Sequence, residues 1–189
     1  MKFLILLLSV ALLAGCAVSP QQVLISPSSS QEMPAATPGR DVIDLTVLDT
    51  RATQTLGTLG GTYDETATLS ASNDVRADLE RLLRARLAAA GYLLESGSDA
   101  LVMTVSLSQL EYERVSATVG SEVQVRAVLT LSVDDGRRFI ERVYRSSNIQ
   151  TRITRPTADD NRVFLEEALN NSLDRMLQDA SLHDFLAQP

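Results

Sequence analysis

The chain has 189 residues, a formal charge of −7 and 44% hydrophobic residues, which suits one domain with a buried core. That charge argues against a nucleic-acid protein, which needs a basic patch, and against a protein held on anionic headgroups by a polybasic stretch. With no Trp and 4% aromatics, the core must come mostly from Leu, Val and Ala. Cys16 is the only cysteine, so an intramolecular disulfide and a Cys-rich zinc framework are both excluded. Lys2 is the only lysine, which makes every later basic residue Arg. Genomic composition bias accounts for this; bidentate contacts that Lys cannot make are the alternative use.

Met1-Lys2 is a short positive region, and Phe3 to Leu13 is an apolar run broken only by Ser9. A membrane-spanning helix needs about 20 apolar residues, so this run suits a signal peptide over residues 1–15. Leu13-Ala14-Gly15-Cys16 resembles the bacterial lipobox. The resemblance implies a diacylglyceryl thioether on Cys16, cleavage before it, and acylation of the new amine. Ala17 rather than Asp follows the cysteine, and the sorting rule for such proteins implies the outer membrane, facing the periplasm.

Residues 16–40 then read as the lipidated Cys and a disordered tether. They hold Pro20, Pro27, Pro34, Pro38 and the run Ser28-Ser29-Ser30, a composition that does not repay the entropy of folding. As a flexible coil it would let the domain range roughly 25–30 Å from the bilayer. Val23-Leu24-Ile25 is its one apolar patch, either a short docking strand or noise.

A single periplasmic domain is expected over residues 41–189. Val42 to Leu48 reads as a strand, and the Gly- and Thr-rich stretch through Gly60-Gly61 as loop or irregular strand. Asn73 or Asp74 caps a helix to about Ala90, with Val75, Leu79, Leu82, Leu83 and Leu87 on one face and Gly91 as its stop. Leu101, Met103, Val105 and Leu107 alternate, and the phase slips at Ser108-Gln109, which predicts a β-bulge. Val123 to Val133 alternates, Asp134-Asp135-Gly136 is a hairpin turn, and Phe139 to Arg145 runs back, extending to Ile153. Thr157 and Asp160 form a capping box for a long helix with Phe164, Ala168, Leu169, Leu173, Met176, Leu177 and Ala180 buried. Ser181 and Asp184 have the spacing of a second box. The expected fold is α+β: an antiparallel sheet, in β-α-β-β-β-α order, with two main helices packed on one face. One sheet edge near Val143 to Ile153 should be free to bind an acidic partner through Arg142, Arg145 and Arg152, or else pairs with residues 42–48.

Little chemistry is available. His183 is the only histidine, and its neighbours Ser181 and Asp184 point apart on one helical turn, so a hydrolytic triad is not expected. A lone His builds no His-based zinc site. Asp134-Asp135, Asp159-Asp160 and Glu166-Glu167 are carboxylate pairs of the kind a glycosidase needs, and turns or solvated faces explain each. No catalytic residue, metal ligand or cofactor is expected.

Leu13-Ala14-Gly15-Cys16, the helix leading into Ala90-Gly91-Tyr92, and Ser181-Leu182-His183-Asp184-Phe185-Leu186 resemble the YajG family of bacterial lipoproteins. That family ends in a similar Ser-Ile-His-Asp-Phe-Ile segment. The resemblance implies an outer-membrane lipoprotein without an assigned activity, and only Cys16 carries over as a functional residue. The leading expectation is a non-catalytic envelope lipoprotein, joined to the membrane by its lipid, whose domain binds or scaffolds another envelope component. Two alternatives remain: a lipid or glycan-fragment carrier with a pocket between sheet and helices, and a carboxylate-based cell-wall hydrolase.

Overall fold

The computed structural model describes residues 19–60, 67–116 and 120–188; the signal segment and Cys16 lie outside them. In chain order the elements are β1 (Gln21–Val23), β2 (Ile43–Asp49), β3 (Thr55–Thr58), β4 (Thr68–Ala71), α1 (Val75–Ala89), β5 (Leu101–Ser116), β6 (Ser121–Asp134), β7 (Phe139–Arg152), α2 (Ala158–Leu177) and α3 (Ala180–Ala187). All seven strands join one sheet in the order β1-β4-β3-β5-β6-β7, with β2 also paired to β5.

Strict alternation builds the centre. Val123, Val125, Ala127, Leu129, Leu131 and Val133 of β6 are all buried, and the residues between them turn to the other face. Asp134 pairs with Phe139 across the Asp-Gly turn, and β6 and β7 stay in register to Ser121 and Arg152. On its other side β6 pairs antiparallel with β5, and the register shifts between Leu107 and Gln109, at the expected bulge.

That bulge divides the far side of β5 between two partners. Before it, β2 runs parallel from Ile43 opposite Leu101 to Asp49 opposite Leu107. The Thr50 N–H then donates to the Leu107 carbonyl at 3.0 Å, and the chain leaves. Beyond it, β3 approaches in parallel, with Gly57 opposite Tyr112. A Cβ on Gly57 would sit 1.8 Å from the Tyr112 carbonyl oxygen, and its φ is +156°, so a side chain there requires backbone movement. β3 continues antiparallel to β4, and β4 parallel to β1.

The expectation of an antiparallel sheet in β-α-β-β-β-α order with two main helices is therefore corrected. Among the described residues the sheet is mixed, has seven strands, and accompanies three helices. Four strands precede α1 instead of one. The Gly- and Thr-rich stretch hides β3 and β4 because its glycine serves close approach to β5, and because each strand is only four residues long with a further, parallel partner far along the chain.

Residues 19–40 also depart from the expected tether. Gln21, Gln22 and Val23 pair with Leu69, Ser70 and Ala71, and Val23, Ile25 and Met33 are buried. Asn73 exchanges two hydrogen bonds with the Ile25 backbone, at 2.9 and 2.8 Å. The Ser26 and Ser28 N–H groups donate to Glu166 and Asn170, and Ala36 N–H donates to the Ala90 carbonyl. The prolines and serines thus form an extended strap between α1 and α2. Its backbone is satisfied by side chains rather than by regular structure, which a composition argument does not detect.

The helices pack on the face that carries the buried strand residues. Asp74 caps α1 by accepting the Ala77 N–H, and Val75, Leu79, Leu83 and Leu87 are buried. Thr157 and Asp160 cap α2 reciprocally. Midway along α2, the buried Ser172 hydroxyl donates to the Ala127 carbonyl at 3.1 Å, where small residues on both elements allow close contact.

If the strap is part of the fold, Ile25→Ala should cost about 2–5 kcal/mol, the usual loss for truncating a buried aliphatic side chain. Urea unfolding followed by circular dichroism measures this. A midpoint unchanged from the parent would return residues 19–40 to the status of a tether.

Candidate functional site

The most connected polar cluster lies where the end of the strap, the β6–β7 turn and α3 meet. Asp135 follows β6, and its Oδ1 accepts the backbone N–H groups of Arg138 at 2.7 Å and Arg137 at 3.0 Å. Its Oδ2 accepts from Arg138 Nε at 2.9 Å and Arg40 Nη1 at 3.2 Å. The Arg138 N–H first, then the Arg137 N–H and the two guanidinium groups, hold the Asp135 carboxyl well below the usual range, against a smaller opposing effect of burial. The Phe185 ring lies against both cations, 4.7 Å from the Arg138 carbon and 5.6 Å from that of Arg40. Arg40 also donates to the Phe185 carbonyl, and Arg138 to that of Gln188. This clasp holds the C-terminal segment by its backbone and by a buried ring. A cleft of about 330 Å³ beside it is lined by Arg40, Ser98, Asp99, Asp135, Arg137 and Arg138.

The hydrolytic candidates do not converge. His183 Nε2 lies 2.6 Å from the Leu177 carbonyl, and the Ser181 N–H donates to Asp179 Oδ1. The helix cap here is Asp179, so the expected box of Ser181 and Asp184 is corrected: both residues lie inside α3. Burial pushes the Asp179 carboxyl up, but the Tyr144 hydroxyl at 2.6 Å and the Ser181 N–H bring it below its ordinary value. Tyr144 is pushed up in turn, by burial and by the same carboxylate.

Each carboxylate pair is divided between structural tasks. Asp134 accepts the Gly136 N–H, while Asp135 serves the clasp. Asp160 closes the α2 cap, and Asp159 pairs with Arg162 at 2.8 Å. Glu166 binds Arg162 and the strap, whereas Glu167 accepts from Asn148. No group of three His, Cys, Asp or Glu arranged to hold a metal occurs among the described residues.

A second cleft, of about 560 Å³, lies between the ends of β2 to β4 and the start of α1. Its Arg51 is tied to Asp49 at 2.6 Å, and its Arg76 to Asp74 and Glu80. These clefts are charged and superficial, unlike the apolar pocket a lipid carrier needs.

The three arginines expected to form one basic strip are also separated. Cross-strand pairing places Arg142 and Arg152 on the helix-facing side of β7, with Arg152 5.0 Å from the Phe164 ring, and Arg145 on the opposite side. Strand β2 pairs with β5, so the alternative pairing of residues 42–48 with β7 is overturned, and β7 ends the sheet. The uncovered face carries Thr46, Thr104, Ser106, Thr130 and Ser132, with Leu48, Val102, Phe139, Val143 and Ile149 exposed among them.

Sequence reasoning missed Arg40 and Arg138. Arg138 adjoins a recognised turn, but nothing in local spacing links Arg40 to Phe185. Because the Asp135 carboxyl is lowered, its stabilising effect is complete above the ordinary carboxylate pKa of 3.8 and is lost as pH falls through its lower folded value. Asp135→Asn should lower the melting temperature at pH 7, and the deficit should shrink as pH falls below about 4. A deficit that stayed constant down to pH 2 would refute the ionised clasp.

A family model described as "Uncharacterized lipoprotein" matches residues 30–187. The "Uncharacterized lipoprotein YajG" of Escherichia coli K12 is 25% identical over 195 residues, covering 99% of this chain and 97% of that protein. A minor lipoprotein from Acinetobacter baumannii has a TM-score of 0.49 at 14% identity, covering 76% of this chain and 94% of its own. A protein from Xanthomonas campestris also gives 0.49, at 10% identity, covering 85% and 97%. The match of the family model over most of the chain, with the nearly full-length similarity to YajG beside it, shows the family: the chain belongs to the YajG family of uncharacterized bacterial lipoproteins.

Proposed function

We propose that this protein is a non-catalytic lipoprotein of the outer membrane, acylated at Cys16, whose periplasmic domain binds another envelope component through its uncovered sheet face. The observation that carries the reading is the division of labour among polar groups. Among the described residues, the side chains with catalytic potential are engaged in caps, the strap and the clasp, while a broad face of the sheet is left without a helix. A face of Thr and Ser with scattered large apolar side chains suits a protein surface, which wets a polar rim and buries apolar anchors.

The strap changes how such a domain would sit. Cys16 precedes the first paired residue, Gln21, by so few residues that the reach is about 18 Å even fully extended. An acylated Cys16 would therefore hold the domain against the bilayer. No helix among the described residues is long and apolar enough to cross a membrane, so attachment in this reading falls to the lipid. Three acyl chains exceed the marginal hold of one.

The test uses the full-length chain in bacterial cells. Cys16→Ala should leave an unprocessed precursor that takes up no labelled fatty acid and is missing from the outer-membrane fraction. A processed, membrane-held variant would overturn the anchor. A photo-crosslinking amino acid at Thr130 should give one discrete heterologous adduct, and none when placed at buried Leu79. Equal, diffuse labelling from both positions would overturn the binding face.

A further inference from the structure

We propose that β7 is the contact surface for a second copy of this chain, paired antiparallel to itself about a two-fold axis at Ser146. This strand is 14 residues long and ends the sheet, so among the described residues one side of its backbone lacks a strand partner. The Asp135 N–H donates to the Arg138 carbonyl at the turn, and the β6–β7 register then continues without a shift. Alternation therefore turns the N–H and C=O groups of even-numbered residues toward β6 and those of odd-numbered residues outward. The Arg145 carbonyl agrees: it accepts from the Arg175 guanidinium of α2, at 2.5 Å, rather than from β6.

The side chains select the partner. The large exposed hydrophobic residues along this edge are Phe139, Val143 and Ile149, with exposures of 60%, 39% and 56%, and Ile153 follows just past its end at 84%. Phe139 and Ile153 are equally far from Ser146 in sequence, as are Val143 and Ile149. A two-fold contact requires such a palindrome, because residue i of one copy meets j of the other and j meets i. Centred on Ser146, the pairing sets Val143 against Ile149 and Phe139 against Ile153. It sets Arg145 against Ser147, Glu141 against Thr151 and Arg142 against Gln150, so no like charges are directly opposed. Moving the axis to Tyr144 would set Val143 against Arg145 and leave Ile153 without an apolar partner.

Helix α2 obeys the same symmetry. Glu167 accepts from Asn148 and Arg175 donates to Arg145, on opposite sides of the axis. Rotation brings Glu167 of one copy toward Arg175 of the other, and each Arg175 exchanges a carbonyl for a carboxylate. Its release frees the Arg145 carbonyl for the Ser147 N–H of the second copy. Roughly a dozen main-chain hydrogen bonds would form along the full overlap. The edge thus has a guard in the single copy, and the guard has a better partner in the pair.

The test is cysteine crosslinking of the full-length lipoprotein in cells, read on non-reducing gels. Val143→Cys and Ile149→Cys each place a thiol on an exposed side chain. A dimer band is expected when the two variants are co-expressed, and neither variant alone should exceed background. Bands of equal strength from either variant alone would signify another register or random collision and would overturn the proposal, as would the absence of a band from the mixture. Ser147→Pro removes an outward N–H that β6 does not use. It should reduce the mixed band at least tenfold while protease resistance of the domain persists. Should the band persist with the proline in place, strand pairing would be refuted.

Discussion

The architecture depends on the bulge in β5. A strand of that length, paired along one side with β6, offers its other side to whatever the chain delivers next. Without an interruption, one partner would have to run the whole length or leave backbone groups unpaired. The extra residue at Ser108 lets β2 stop at Asp49 and β3 begin its approach near Tyr112. Everything at the strap end of the sheet follows from that exchange. β3 brings β4, β4 holds β1, and β1 places Ile25 where Asn73 secures it. Gly57 is the point at which the exchange is tightest, and its missing Cβ is a condition of the fold.

Periodicity made part of this legible. The slip at Ser108-Gln109, the alternation of β6, the Asp-Gly turn, the α1 stripe and the Thr157–Asp160 cap are local signals, each contained within a few residues. What stayed hidden depends on distance. Strands β1, β3 and β4 are three or four residues long and have meaning only against partners far along the chain. Pro and Ser in the strap resemble the composition of disorder, yet Glu166, Asn170 and Asn73 satisfy their backbone. The clasp is hidden for the same reason, since Arg40 and Phe185 are nearly at opposite ends of the domain.

The exclusive use of arginine acquires a physical sense in the clasp. A guanidinium can accept an aromatic face while its edge donates to a carboxylate and a carbonyl at once. Arg40 and Arg138 do this on either side of Asp135 and Phe185. The Ser-Leu-His-Asp-Phe-Leu segment near the C-terminus is consequently a fastening: Leu182, Phe185 and Leu186 are buried, and His183 contacts a backbone carbonyl.

The strap has a consequence for the order of events in the life of the chain. It is the first described segment to be synthesised, yet its contacts include Glu166 and Asn170, separated from it by 140 residues or more. Closing so long a loop is slow and becomes favourable only once the enclosed elements have organised. The strap is therefore drawn onto the domain only when α2 has arrived. Topology alone in this way makes the first described segment of the chain one of the last to dock.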